Sequence, residues 1–248
     1  MDFCALIFVV YLAIGAAAGH QPRSCKEIYD QNSASSNKAY TLRLDNGDLP
    51  VYCSMSGELG ECGDGGWTLV MKIDGEKNTF WYGSNRWYDR SSFSPQNGDT
   101  GLDHLETQLP TYWSTSFTKI CLGMKVNGVT RFLQVDKAAA SLHDLIADGE
   151  YRPTSLGRDE WKTLIGPDAS LQLKCNKEGF NSQGTMHRTS RVRIGIIANQ
   201  ENDCNFPDSR IGFGGGGSGF ENACGNGASW SADNGDKNIK AFGYIFVQ

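Results

Sequence analysis

The chain has few prolines and little excess charge of either sign. It contains 7 Pro among 248 residues, and its 23 Lys and Arg residues against 28 Asp and Glu residues give a formal net charge of −5. Because 39% of the residues are hydrophobic, this composition excludes a long disordered chain. No run of Lys or Arg is longer than two residues, so the sequence offers no basic footprint for a nucleic acid.

Local motifs of common enzymes and of zinc sites are also missing. The sequence has no Gly-x-Ser-x-Gly, no His-Glu-x-x-His and no Cys-x-x-Cys. Gly212, Gly214 and Gly217 match Gly-x-Gly-x-x-Gly, but the residues after them are poor helix formers, and a dinucleotide site needs a helix there. We therefore predict a protein without catalytic activity.

One apolar run stands at the beginning of the chain and ends at Ala18. It is too short to span a bilayer comfortably, and small residues at its end suit signal peptidase. We predict a secretory signal at residues 1–18, a short segment at 19–24 and a single secreted domain at 25–248 with no membrane span. An uncleaved anchor stays open, because Asp2 lies where a positive charge is usual.

Secretion determines how the eight cysteines are interpreted. Cys4 belongs to the signal, which leaves an odd number in an oxidising compartment, where disulfides persist. Either one thiol stays free and buried or it pairs between two chains. Spacing alone does not choose between these. The seven are Cys25, Cys53, Cys62, Cys121, Cys175, Cys204 and Cys224.

Hydrophobic alternation predicts strands in the first two thirds of the chain. Apolar residues alternate over 67–73, and a second set over 120–126 runs into Asn127-Gly128 and a further apolar stretch at 129–135. Asn-Gly tolerates the positive φ angles of a two-residue turn, so this pair of stretches predicts a β-hairpin.

Two short helices and two later strands complete the pattern. Leu142, Leu145 and Ile146 follow Ser141 at helical spacing, and Trp161, Leu164 and Ile165 repeat that spacing. Strands are predicted at 192–196, with Arg191 and Arg193 on the polar face, and at 242–248. The order of elements favours one α+β unit.

Residues 199–240 are rich in Gly, Asn and Asp and nearly empty of aliphatic residues, which predicts a long loop with a function. Its oxygen-bearing side chains suit Ca²⁺, which takes six to eight oxygen ligands. Asp233-Asn234-Gly235-Asp236 forms a second cluster of this kind. Each cluster is equally explained as a solvated turn, because such turns favour Asn, Asp and Gly. Trp230 is the candidate ligand-stacking ring. The candidate calcium ligands are Asn199, Glu201, Asp203, Asp208 and Glu221.

Several of these stretches resemble the fibrinogen C-terminal-like (fibrinogen-related) family, in particular its intelectin-like branch. The similar segments are Ser24-Cys25-Lys-Glu-Ile, Gly65-Gly66-Trp67-Thr68-Leu69-Val70, Arg210-Ile-Gly-Phe-Gly-Gly-Gly-Gly217 and Cys224-Gly-Asn-Gly-Ala-Ser-Trp230. In the middle of the chain, the segments from Lys119 and from Ser155 look closest to cnidarian secreted proteins, some of them from coral skeletal organic matrix.

The resemblance implies a single fibrinogen C-terminal-like domain, with a twisted, mainly antiparallel sheet, short helices and a long Gly/Asn/Asp-rich calcium-loop region. It implies a lectin-like protein that binds Ca²⁺ and carbohydrate and forms a homo-oligomer. It places disulfides at Cys25–Cys53 and Cys204–Cys224, calcium ligands at 199–203, and Glu221 beside a sugar-binding calcium. The partners would be glycans or extracellular matrix components.

The chain also departs from the family. Asp208-Ser209-Arg210 stands where intelectins have a paired His, and the Gly-Gly-Trp-Trp-Tyr-x-x-Cys block of fibrinogens and ficolins is replaced by Gly-rich sequence. Sugar specificity therefore does not transfer. The alternative function is a structural component of an extracellular, and specifically a skeletal organic, matrix that binds no sugar.

Overall fold

A computed structural model describes residues 21–217 and 219–248. The predicted signal at 1–18 lies outside them. In these ranges the chain forms four short α-helices, namely α1 (Cys25–Gln31), α2 (Thr111–Ser114), α3 (Leu142–Ile146) and α4 (Arg158–Thr163). No helix among the described residues is long and apolar enough to cross a membrane.

The first of two sheets contains seven strands in the order β1-β2-β3-β13-β5-β6, with β4 paired to β3. All its pairs are antiparallel. The strands are β1 (Lys38–Leu44), β2 (Gly47–Ser54), β3 (Trp67–Asp74), β4 (Thr107–Gln108), β5 (Phe117–Val126), β6 (Val129–Ala139) and β13 (Phe242–Val247).

The second sheet contains six antiparallel strands in the order β12-β11-β10-β9-β8-β7. The strands are β7 (Arg152–Pro153), β8 (Lys174–Gln183), β9 (Arg191–Asn199), β10 (Ser209–Phe213), β11 (Cys224–Ala228) and β12 (Lys237–Lys240). The mainly antiparallel, α+β character is thus as expected, but the strands form two sheets instead of one.

The elements with the clearest sequence patterns form as predicted. Asn127 and Gly128 connect β5 to β6 with φ angles of 50° and 81°, the left-handed values that the turn needs. Ser141 caps α3, because its hydroxyl accepts a hydrogen bond from the Asp144 N–H at 3.1 Å. The helix around Trp161 begins and ends earlier than predicted, at Arg158–Thr163.

Helices α3 and α4 contact both sheets, so the two sheets share one core. That core includes Trp87 and Trp161, and a second cluster around Trp67 packs between α1 and the first sheet. These rings are almost completely buried. Burial of large rings on this scale is the main favourable contribution to such a fold.

The predicted long loop at 199–240 is largely β-structure, since it contains β10, β11 and β12. Gly179, Gly195, Gly212 and Gly225 stand side by side in β8, β9, β10 and β11, so one row of glycines crosses four strands. A Cβ at Gly195, whose φ is +150°, would lie 2.2 Å from the Ile211 carbonyl oxygen. The glycines therefore permit close backbone approach inside a sheet, which the prediction of irregular loop structure missed.

Candidate functional site

The acidic residues predicted to bind calcium lie mainly in the loop at 200–208, between β9 and β10. Asn199, the last residue of β9, is buried, and its amide donates to the Asp203 carbonyl at 2.9 Å. Its side-chain oxygen already accepts from the Gln200 N–H at 3.0 Å. Asp203 in turn accepts from the Asn205 N–H at 2.9 Å. Asn199 therefore shapes this loop from within and does not present a free oxygen to solvent.

Two carboxylates of the loop influence each other. Burial, together with the negative charge of Glu201, raises the pKa of the Asp208 carboxyl above its ordinary value. Glu201 acts on Asp208 although seven positions separate the two residues. A cation between them would relieve the repulsion.

Gln172, which sequence reasoning missed, joins three loops at this end of the sheet. It is fully buried, and its side-chain oxygen accepts from the Asp208 N–H at 2.9 Å. Its amide donates to the Trp230 carbonyl at 3.0 Å and to Gln200. The loops at 171–173, 200–208 and 229–236 therefore meet around one side chain, and we call their outer face the loop surface.

The loop surface exposes large apolar side chains. Trp230 is 71% exposed, Leu173 62% and Phe206 56%. Trp230 has a φ of 54°, so its ring is presented by a left-handed turn held through its own carbonyl. Exposed apolar side chains on adjoining loops suit ligand contact better than stability.

The loop at 229–236 is anchored by Asp233, a member of the second acidic stretch. Its carboxylate accepts from Arg158 and from Lys162, each at 2.6 Å, and from the Leu171 N–H at 3.0 Å. Burial raises the pKa of Asp233, but these donors outweigh burial and hold it below its ordinary value. Asp233 is thus committed to ion pairs that fix the loop.

Glu221, the fifth predicted calcium ligand, lies elsewhere. It belongs to the connection between β10 and β11, whereas Asp208 directly precedes β10. The connection folds back along the hairpin, since the Phe220 side chain lies against Gly227 of β11 and the Phe220 carbonyl accepts from Arg210. Glu221 is exposed on this connection. No group of three or more His, Cys, Asp or Glu suited to a metal ion occurs within 21–217 and 219–248.

The loop that carries Glu221 is held by a buried arginine. Arg210, which is 1% exposed, donates to the carbonyls of Gly217 at 3.1 Å and Phe220 at 3.0 Å, and to the Asn222 side-chain oxygen at 2.7 Å. Burial lowers the pKa of Arg210 to about 9, so it remains charged at neutral pH. Carbonyl dipoles around a fixed guanidinium therefore organise this Gly-rich connection.

Arg193, predicted on a polar strand face, is completely buried. It donates to the Tyr82 carbonyl at 2.9 Å and to the Asn181 side-chain oxygen at 2.8 Å. Its guanidinium lies over the rings of Tyr82 and Tyr88, 4.1 and 4.7 Å from their centroids. Arg193 is buried although it alternates with apolar residues, because β9 is covered on both faces.

The disulfides confirm one predicted pair and correct the other. Cys25 is bonded to Cys53 as expected, and Cys62 is bonded to Cys121. The predicted Cys204–Cys224 bond is wrong, because Cys204 is bonded to Cys175 of β8. Cys224 begins β11 and is a buried free thiol that packs near Gly243 in the core. The hairpin of β10 and β11 carries it to the end opposite the Cys204 loop, so the unpaired cysteine is buried and not available to a second chain.

Comparison of the chain with protein-family models and with curated proteins finds no match. The function is therefore argued from the loop surface itself.

Proposed function

We propose that this is an extracellular, non-catalytic recognition domain that binds Ca²⁺ and carbohydrate at the loop surface. The observation that carries the proposal is that Gln172 joins the backbone of the exposed Trp230 to the loop in which Glu201 raises the pKa of Asp208. Three disulfides support an oxidising, extracellular location. The resemblance to fibrinogen-related proteins points to the same class of function.

The residues fit a calcium ion in the loop at 200–208 and not across the whole predicted set. Glu201 and Asp208 would supply carboxylate oxygens. Asn199 is committed to the loop backbone and Glu221 belongs to a different connection, so neither is assigned to the ion. Backbone carbonyls and water would complete the coordination, and the ion would supply a positive charge that attracts sugar hydroxyls.

Trp230 supports the carbohydrate part of the proposal. A ring that is 71% exposed and fixed through its backbone offers a flat apolar face, on which the C–H surface of a sugar can stack. Gln172 holds both the Trp230 carbonyl and the Asp208 N–H. Calcium bound beside Asp208 would therefore stiffen the support of the ring.

Calorimetric titration with CaCl₂ tests the calcium site. The double variant Glu201→Gln, Asp208→Asn should lose at least about tenfold in affinity, because two charged ligands become neutral. Glu221→Gln is the matched control and should bind as the wild type does. Equal affinity in the double variant, or a loss confined to Glu221→Gln, would contradict the assignment.

A glycan array with and without EDTA tests the carbohydrate part. We expect binding that EDTA abolishes and that Trp230→Ala weakens, with the control Trp81→Ala unchanged. Trp81 is a suitable control because it is 51% exposed but belongs to a different part of the chain.

A second candidate is a structural matrix component without sugar binding. The exposure of Leu173 and Phe206 favours it, because clustered apolar side chains at a surface suit contact with another protein. Three results together would select this function over the first. The protein would stay in extracellular matrix in the presence of EDTA, Phe206→Ser would abolish that retention, and the glycan array would show no binding.

A further inference from the structure

A cavity of about 510 Å³ lies beside the hairpin that connects β8 to β9. Its volume is in the range of small-ligand pockets. Three basic side chains line it together with polar and small residues. The lining consists of Lys177, Gln183, Gly184, Thr185, Met186, His187 and Arg191.

The cavity arises because β8 curls back on itself. The Lys177 ammonium donates to the Gln183 carbonyl at 3.2 Å, although six positions separate them. Cys175 and Asn176 have φ angles of 64° and 49°, which mark a bulge at the start of the curl.

The loop at 204–207 braces the hairpin from behind. Thr185 N–H donates to the Cys204 carbonyl, and Met186 N–H donates to the Asn205 carbonyl, both at 3.2 Å. The Cys175–Cys204 disulfide ties this loop back to β8. The cavity is therefore formed by a cross-linked frame before any ligand arrives.

The two cations nearest the frame have donors to spare. Lys177 donates only to Gln183 and lies 4.3 Å from the centroid of the Tyr151 ring. Arg191 donates to the Thr189 carbonyl at 3.4 Å and lies over Tyr82. Within the described part of the chain, no carboxylate forms an ion pair with Lys177, His187 or Arg191.

Such a concentration of positive charge is unusual for a chain whose net charge is −5. Burial lowers the pKa of Lys177, and no neighbouring carboxylate offsets that effect. Both cations are partly buried, and an anion in the cavity would compensate for the hydration that they lose.

We propose that this cavity binds the oxyanion of a small ligand, a carboxylate or a sulfate, through Lys177 and Arg191. The site shares no residue with the proposed calcium and carbohydrate site and needs no calcium, so it goes beyond the function proposed above. Arg191 offers a planar fork suited to an oxyanion, and Lys177 supplies a second, more mobile charge.

Calorimetric titrations of the secreted protein in EDTA at constant ionic strength test the proposal. The probes are methyl glucuronide, glucose 6-sulfate, neutral methyl glucoside and sodium sulfate. We expect both acidic sugars to bind and the neutral sugar not to bind. Sulfate binding as tightly as glucose 6-sulfate would support the oxyanion site and identify a free anion as its ligand, whereas weaker sulfate binding would support it and identify an acidic sugar.

Variants locate the site. Lys177→Gln and Arg191→Gln should each weaken binding by at least about tenfold, because each removes charge-assisted hydrogen bonds. Arg188→Gln removes a charge from the same hairpin outside the cavity lining and should change affinity by less than about twofold. Lys177→Arg and Arg191→Lys keep the charge and should retain binding, which separates loss of charge from loss of fold.

Three results would overturn the proposal. They are equal binding of methyl glucoside and methyl glucuronide, unchanged anion affinity in both charge-removing variants, and no binding of any anion below a Kd of about 10 mM. Because all titrations contain EDTA, a failure here is independent of a failure of the calcium site.

Discussion

Replacing Arg210 by methionine tests how the Gly-rich connection between β10 and β11 is stabilised. The guanidinium satisfies the Gly217 and Phe220 carbonyls and the Asn222 side-chain oxygen, and methionine fills similar space without a donor. Each unsatisfied buried acceptor costs about 1–3 kcal/mol. The residues around Gly217 and Phe220 are partly exposed, so water can replace the arginine there, but Asn222 is 4% exposed and stays unsatisfied.

We therefore expect Arg210→Met to lower the free energy of unfolding by about 2 kcal/mol, within the range for one unsatisfied buried acceptor. Removing a buried charge recovers some desolvation energy, which is why the estimate is not higher. For a domain of this size the expected shift is about 4–8 °C in Tm. Hydrogen exchange should accelerate at 214–223 more than elsewhere.

Urea unfolding monitored by tryptophan fluorescence measures this change. Arg90→Met is the matched control, because the Arg90 side chain is 62% exposed and its single ion pair is 3.9 Å long, so its cost should stay within about 0.5 kcal/mol. If Arg210→Met unfolds at the same urea concentration as the control, Arg210 does not organise the connection.

Three further predictions concern stability. Asp233→Asn should lower the free energy of unfolding by about 1–3 kcal/mol at pH 7. In urea titrations the difference from wild type should shrink as the pH falls through the depressed pKa of Asp233, since protonation then removes the same charge. A constant difference down to about pH 2 would contradict this prediction. The double variant Cys175→Ser, Cys204→Ser should lose about 3–4 kcal/mol, because the bond closes a loop with a sequence separation of 29, and an unchanged Tm would refute this. Gly195→Ala should cost roughly 3 kcal/mol by thermal unfolding, since its Cβ meets a backbone oxygen at 2.2 Å, whereas Gly128→Ala places its Cβ in open space and should cost less.

Elements with a local signal could be predicted from the sequence. Alternation located β3 and the hairpin of β5 and β6, and Ser141 marked the start of α3. The strands β10 and β11 could not be found in this way. Their glycines have low β-propensity, and they are stabilised by pairing with glycines of other strands, which a local pattern does not reveal.

The candidate site was predicted in part. Glu201 and Asp208 do lie in one loop and influence each other. The predicted Cys204–Cys224 bond failed because a hairpin that was not predicted carries Cys224 to the far end of β10, opposite Phe213. The role of Gln172 depends on contacts with residues 36 and 58 positions away, so nothing near it in the sequence indicates its importance.

Hydrogen exchange measured with and without calcium tests the central claim most directly. If Ca²⁺ binds between Glu201 and Asp208, protection should increase at 200–208 and, through Gln172, at 229–231, and it should stay unchanged at 214–223. Protection that is unaltered at 200–208, or that increases around Glu221 instead, would contradict a calcium-dependent recognition surface at this end of the second sheet.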